Sequence, residues 1–377
     1  MTASDINIPL SRPDITDLEI EQVTAVLRTP YLSLGPKLPE FENLIAEYVG
    51  VRYAVAVNSG TSALQLIIRS LGIGEGDEVI TTPFSFIASA NCILLEHARP
   101  VFVDIDPTTL NLNTDLIAEK INNKTRAILA VDVFGLPADW DALKSIADKH
   151  KLILIEDSCE ALGAEYKGRK AGSLGIAGAF GFYPNKQITT GEGGVVVTDD
   201  ERIARLCHSM RNQGRDDSGD WFGYARPGYN FRLSEINCAL GIAQLSRLKE
   251  ILAKREHMAH LYNLKLSGLA EVITPASIPD VKRSWFVYVA ILKDKSYTIN
   301  RDAIVEELLR RGVGCAKYFV PIHLQPFYME MFGYKQVDFP VTESISQRTF
   351  ALPFYTSMTE EDIDTVVHHL KDIISHP

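Results

Sequence analysis

A chain of 377 residues is too long for one small core and is expected to divide into a large and a small domain. Hydrophobic residues make up 46% and charged residues 23%, an ordinary globular composition that excludes the disordered and fibrous classes. The net charge of −10, with no run of five Lys or Arg, argues against nucleic acid as a partner.

Residues 1–14 lack both a basic and an apolar segment, and nowhere do eighteen apolar residues follow one another. No signal peptide or membrane span is therefore expected, and the expected location is the cytoplasm. An amphipathic helix is predicted near Ile15–Leu27, and the Gly35-Pro36 turn leads to a second at Lys37–Val49. Apolar strand-like runs follow at Tyr53–Val57, Glu78–Thr81, Pro100–Val103, Arg126–Val131 and Leu152–Glu156, separated by helical segments such as Thr61–Leu71 and Asp139–His150. That alternation predicts an α/β fold with a mainly parallel sheet.

Two more strands, Gly178–Tyr183 and Gly194–Thr198, are expected to complete the sheet, and helices Asp200–Met210 and Leu233–Leu252 to close a large domain of residues 1–252. Beyond it a long charged helix, a strand at Trp285–Leu292 and helices at Arg301–Arg311 and Glu360–Ile373 predict a smaller α+β domain, residues 253–377. The five cysteines are scattered without a C-x-x-C pair, which points to reduced, buried thiols rather than disulfides or zinc. His257 and His260 share a helical face but lack acidic or cysteine companions, so no metal site is expected. The glycines of Gly72-Ile73-Gly74-Glu75-Gly76 follow a helix and precede a strand, the reverse of a dinucleotide-binding loop, and read as a turn.

Three stretches fall at strand ends, where parallel sheets collect ligands. Asn58-Ser59-Gly60-Thr61-Ser62 joins a strand to a helix start, a place for an anion or simply a Ser/Thr cap. In Ile155-Glu156-Asp157-Ser158-Cys159-Glu160 an apolar strand runs into Asp157, a carboxylate needing a cationic or hydrogen-bonding partner; a pyridinium nitrogen or a following turn would serve. Cys159 has no histidine nearby in sequence to activate it and reads as structural. The third stretch, Phe180 to Gly194, holds one lysine, Lys186, between aromatic residues and a Gly-rich turn. An amine partly removed from water there would be a nucleophile suited to Schiff-base formation.

Together the Ser-Gly-Thr, Glu-Asp and Phe-Tyr-Pro-Asn-Lys-Gln…Thr-Gly-Glu-Gly-Gly stretches resemble the DegT/StrS family of nucleotide-sugar aminotransferases. So do Thr82-Pro83-Phe84-Ser85-Phe86, Arg211-Asn212-Gln213-Gly214-Arg215, Gly228-Tyr229-Asn230-Phe231-Arg232 and Pro321-Ile322-His323. The similarity spans essentially the whole chain. It implies the fold of fold-type I pyridoxal-phosphate transferases, with pyridoxal 5'-phosphate bound to Lys186, which would also shuttle the substrate proton. It further implies that Asp157 faces the pyridine nitrogen, Phe86 stacks on the ring, Gly60 and Thr61 hold the phosphate, and Asn230 reaches it from the neighbouring subunit of a homodimer. Glu160, where relatives often carry glutamine, would lie near the cofactor's phenolic oxygen or point at the substrate; Tyr183 and His323 are expected on the substrate side. Gly181 stands where many relatives carry a phosphate-binding serine.

The resemblance implies transfer of an amino group from an amino acid, L-glutamate by family habit, to a keto-sugar on a nucleoside diphosphate. Relatives that dehydrate the sugar carry histidine at the lysine position, and others aromatise an aminated ring; a silent regulatory protein is the remaining alternative. The loops Asp216–Arg226 and Tyr318–Phe327 are expected to recognise the sugar.

Overall fold

The computed structural model describes residues 6–215, 223–293 and 300–376. Apolar strands shielded on both faces build a seven-stranded sheet in the order β1-β9-β8-β5-β4-β2-β3. Its strands are β1 (Tyr53–Val57), β2 (Glu78–Thr81), β3 (Arg99–Phe102), β4 (Thr125–Val131), β5 (Ile153–Asp157), β8 (Ala177–Gly181) and β9 (Gly194–Thr198). The pairs β3·β2, β2·β4, β4·β5 and β5·β8 are parallel, and β9 runs antiparallel to both β8 and β1. Val55, Val57, Val195 and Val197 are fully buried, as expected where helices cover both sides.

Around this sheet pack α1 (Asp17–Leu27), α2 (Lys37–Val49), α3 (Gly60–Ser70), α4 (Ala88–Leu95), α5 (Trp140–His150), α6 (Glu201–Arg211) and α7 (Glu235–Ser246). The hairpin β6 (Glu165–Tyr166) and β7 (Arg169–Lys170) pairs with β11 (Val281–Lys282). A second, antiparallel sheet orders β10 (Val272–Ile273), β12 (Tyr288–Leu292), β14 (Thr349–Leu352) and β13 (Ala316–Lys317). Its own apolar cluster is completed by α8 (Leu248–Leu266), α9 (Arg301–Arg310) and α12 (Glu360–Ser375), while α10 (Pro326–Phe332) and α11 (Pro340–Ser346) lie between these elements in sequence. The start of the chain joins this cluster: Ile8 bridges Val313, and the Phe354 N–H donates to the Leu10 carbonyl at 2.9 Å.

The expected helix Leu233–Leu252 is two helices. The break falls at Arg247, whose guanidinium turns to Asp14 at 2.8 Å and Glu19 at 2.9 Å. No Gly or Pro marks it, so apolar periodicity ran through it unbroken. The expected strand Trp285–Leu292 begins only at Tyr288, because the Trp285 and Phe286 carbonyls face the side chain of Arg255 instead of a neighbouring strand. Among the described residues no helix is long and apolar enough to cross a membrane.

Candidate active site

The carboxyl ends of β1, β5 and β8 open on one cavity of about 530 Å³. It brings together Gly60, Thr61, Phe86, Asp157, Glu160, Tyr183 and Lys186, seven of the residues singled out in the sequence.

Helix α3 begins at the cavity wall. Ser59 caps it, accepting the Ser62 N–H at 3.1 Å, and the Ser62 hydroxyl donates to Asn58 Oδ1 at 2.7 Å. Free N–H groups and the helix dipole at such a start favour an anion. Gly60 keeps the approach open: a Cβ there would stand 2.8 Å from Cys159 Sγ and 3.3 Å from Gly181 Cα. On the other side, a Cβ on Gly194 would overlap the Ser59 backbone, which accounts for the last glycine of the Gly-rich turn.

Asp157 ends β5 and is 4% exposed. Its Oδ2 accepts the Ser89 hydroxyl at 2.6 Å, and its Oδ1 accepts the Cys159 N–H at 3.2 Å. Burial and the neighbouring Asp157 charge push the Cys159 thiol well above its usual range, in keeping with a structural thiol.

Lys186 lies in the loop between β8 and β9, its N–H donating to the Tyr183 carbonyl at 2.9 Å. Its Nζ stands 3.5 Å from Glu160 Oε1 and 4.1 Å from the centre of the Phe286 ring. Glu160 also accepts the Phe134 N–H at 2.9 Å; burial raises its proton affinity, and Lys186 opposes that rise. Phe86 and Tyr183 line the cavity while 61% and 55% exposed, so large aromatic faces stand open at its mouth.

Two residues from the sequence analysis lie elsewhere. His323 is wholly buried and does not line the cavity: its Nε2 is 3.2 Å from Glu343 Oε1 and its ring is 4.7 Å from that of Phe339. An aromatic cluster around Phe102, Tyr334 and Phe339 surrounds it. Asn230 is exposed, pairs with Asn212 and also lies outside this cavity. Of the loops expected to recognise the sugar, Tyr318 and Phe319 line the cavity, whereas residues 216–222 lie outside the described residues. Burial pushes the Tyr318 phenol up to about 12.

The structure adds Ser89 and Phe286, which local sequence did not single out, and picks Asn185, Tyr318 and Phe319 out of stretches that it did. Ser89 had a faint signal, four residues after Ser85 and so one helical turn on; their hydroxyls lie 2.9 Å apart. Phe286 comes from the distant end of the chain, where no neighbouring motif announces it. The Asn185 Oδ1 is buried beside the cavity with no partner among the described residues.

A primary amine, a buried carboxylate with a hydroxyl donor, a side-chain-free helix start and an open aromatic face are the parts that pyridoxal phosphate requires. They suit its aldehyde, ring nitrogen, phosphate and ring face in turn. Among the described residues no group of three or more His, Cys, Asp or Glu is placed to hold a metal ion.

Comparison with known proteins gives the same reading. The DegT/DnrJ/EryC1/StrS aminotransferase family matches residues 13–371. The spore coat polysaccharide biosynthesis protein SpsC of Bacillus subtilis is 37% identical over 97% of both chains. GDP-perosamine synthase of Caulobacter vibrioides is 36% identical over 97% of this chain and 98% of its own. Among solved structures, the aminotransferase PseC of Helicobacter pylori, involved in the biosynthesis of pseudoaminic acid, and Spr1654 of Streptococcus pneumoniae, determined in PMP and PLP forms, each superpose with a TM-score of 0.93 at 29% identity, covering 98% of this chain and 99% of their own. The chain therefore belongs to the DegT/DnrJ/EryC1/StrS aminotransferase family and is a pyridoxal-phosphate-dependent sugar aminotransferase.

Proposed function

We propose that this enzyme moves an amino group from L-glutamate to a keto-sugar carried on a nucleoside diphosphate, in two half-reactions of ping-pong form. The observation that carries the reading is the convergence of Lys186, Asp157 and the α3 start on one cavity whose mouth is lined by Phe86 and Tyr183.

Pyridoxal phosphate, when bound, supplies an aldehyde that captures amines and a protonated ring that accepts the electron pair released from a neighbouring C–H bond. The Lys186 Nζ would hold the cofactor's aldehyde carbon and would carry a proton to and from the substrate carbon. Asp157, kept in place by Ser89, would face the ring nitrogen and favour its protonated form. Backbone N–H groups of Gly60 and Thr61 and the Thr61 hydroxyl would hold the phosphate; at Gly181 only backbone is available. Phe86 would cover the ring. Glu160 lies beside the Lys186 amine and would serve the phenolic oxygen or the substrate, and Tyr183 would border the substrate.

In this proposal the protein is a homodimer in which Asn230 of each subunit reaches the phosphate of the other. The exposed Asn230, the open Phe86 and Tyr183, and the exposed row Ile20, Leu27, Tyr31 and Leu32 support it. The division into residues 1–252 and 253–377 belongs to the same proposal, supported by the seven-stranded sheet lying wholly in the first part and the four-stranded sheet wholly in the second, while β11 of the second part joins β6 and β7 of the first.

The test is the first half-reaction. Purified enzyme mixed with glutamate alone should lose the visible absorbance of its cofactor and release one equivalent of 2-oxoglutarate; no change with glutamate sinks the donor. Mixing Lys186→Ala with Asn230→Ala should restore activity if sites are shared, and no recovery removes the cross-subunit contact. A dehydratase would consume the keto-sugar without consuming the donor stoichiometrically.

A further inference from the structure

Arg255 lies on α8 and is 3% exposed, yet no carboxylate lies within ion-pair distance of it among the described residues. A guanidinium taken out of water without an anion is costly, and burial pulls its proton affinity down to about 10. Its Nε has no hydrogen-bond partner among the described residues. Structural need alone would be met by an apolar side chain in this position, so the remaining bonds of the group bear on its role.

Those bonds reach two backbone carbonyls at the cavity wall. Nη2 donates to the Lys186 carbonyl at 3.0 Å, and Nη1 donates to the Phe286 carbonyl at 3.2 Å. The ring of that same Phe286 lies 4.1 Å from the Lys186 Nζ. One planar fork therefore grips the backbone of the lysine and of the ring that covers its amine. The segment is held from the other end as well. Gln187 Nε2 donates to the Glu160 carbonyl at 2.7 Å and to the Ser284 hydroxyl at 3.0 Å, and the Ser284 N–H donates to the Gly135 carbonyl at 2.9 Å. Gly135, at φ +76°, accepts this approach because a Cβ there would overlap the Ser284 carbonyl.

We propose that Arg255 is a positioning residue for amino transfer: by holding the Lys186 and Phe286 carbonyls it fixes the Lys186 amine between the Phe286 ring and Glu160. This rests on the reading of Lys186 as the cofactor-bearing lysine. Without the fork both carbonyls lose their donor, the Gln187–Ser284 bond is left to tie the loop 183–187 to the segment 284–286, and the amine drifts from its attack position. A displacement of about 1 Å costs on the order of a hundredfold in a positioned reaction. Arg255 does not line the cavity, so substrate affinity should be nearly unaffected.

The experiment reads the amine directly. Cofactor-free protein is mixed with pyridoxal, the adduct is trapped with borohydride at timed intervals, and Lys186 labelling is followed by peptide mass mapping. Arg255→Met is compared with Tyr262→Phe, which removes a buried hydroxyl bond to the Pro353 carbonyl in the same helix without touching Lys186. Each variant is assayed equally far below its own Tm. Arg255→Met should label Lys186 at least tenfold more slowly and lower kcat at least tenfold with KM for the keto-sugar within threefold. Tyr262→Phe should stay within twofold of the parent, and Arg255→Lys, which can serve one carbonyl, should fall between. Labelling of Arg255→Met within twofold of the parent, or Tyr262→Phe slowed equally, overturns the proposal. If Arg255→Met does not fold, Arg255→Lys decides: a loss of threefold or more supports the proposal and a smaller one overturns it. Labelling of a lysine other than Lys186 in the parent protein would instead mark the failure of the site assignment itself.

Discussion

The Ser89 hydroxyl donates to Oδ2 of Asp157 at 2.6 Å, and the Ser85 hydroxyl lies 2.9 Å beyond it. This short chain of hydroxyls points one carboxylate oxygen away from solvent while Asp157 stays buried. A hydrogen bond to a charged group contributes about 1.5–3 kcal/mol. Ser89→Ala should therefore weaken cofactor binding roughly tenfold, and Asp157→Ala should weaken it further. Equilibrium dialysis against pyridoxal phosphate measures both. Unchanged affinity in Ser89→Ala would show that Asp157 needs no such support.

Gly60 and Gly181 face each other beside Cys159 and should respond oppositely to added atoms. A Cβ at Gly60 would come 2.8 Å from Cys159 Sγ, whereas at Gly181 the nearest atom would be Cys159 Cβ at 3.6 Å, an ordinary contact. Gly60→Ala should displace the α3 start and reduce cofactor affinity at least tenfold. Gly181→Ser should fit and offer the phosphate a hydroxyl, tightening binding about tenfold by one charge-assisted bond. A Gly181→Ser variant that binds more weakly than its parent would contradict this geometry.

The sequence announced these residues unevenly, for physical reasons. Strands β1, β2 and β9 were legible to the residue, because burial on both faces writes them as short apolar runs. Lys186, Asp157 and Gly60 each had a bland alternative and became informative only as companions. Arg255 and Phe286 reach the site through tertiary folding from 69 and 100 residues beyond Lys186, which no local period encodes. The packing of His323 against Phe339 was not legible, because a histidine in a loop motif looks the same in sequence whether it faces a cavity or an aromatic cluster.

Cys159 lines the cavity, but burial and Asp157 hold its thiol well above the usual range. Little thiolate is present at neutral pH, and alkylation proceeds through thiolate. Iodoacetamide at pH 7.5 should leave Cys159 unmodified in the folded protein and label it after unfolding, as counted by peptide mass spectrometry. Labelling of the folded protein at the rate of a free thiol would refute the assignment of Cys159 as inert.

Beneath the site, Ser158 Oγ lies 2.8 Å from both Asp132 Oδ2 and Glu156 Oε1, and both acids are fully buried. A hydroxyl has one hydrogen, so it can donate to only one of the two. Glu156 already accepts the Leu174 N–H at 2.8 Å and that of Gly172, which favours its charged form. Burial first, and the Glu156 charge second, push Asp132 well above its ordinary value of 3.8. We predict that Asp132, rather than Glu156, carries the one proton of this buried pair, so that Asp132 donates to Ser158 and Ser158 donates to Glu156. An acid with a raised folded pKa contributes stability that is full below the unfolded value and is lost as pH rises through the folded one. Asp132→Asn keeps an acceptor for the Ala138 N–H and a permanent donor to Ser158, and removes that dependence. Its stability relative to the parent should rise as pH climbs above the ordinary value of 3.8 toward the raised folded one, by at most about 1.4 kcal/mol per pH unit. Urea denaturation across that range measures the difference. A difference that stays flat or shrinks with rising pH would place the shared proton elsewhere than on Asp132.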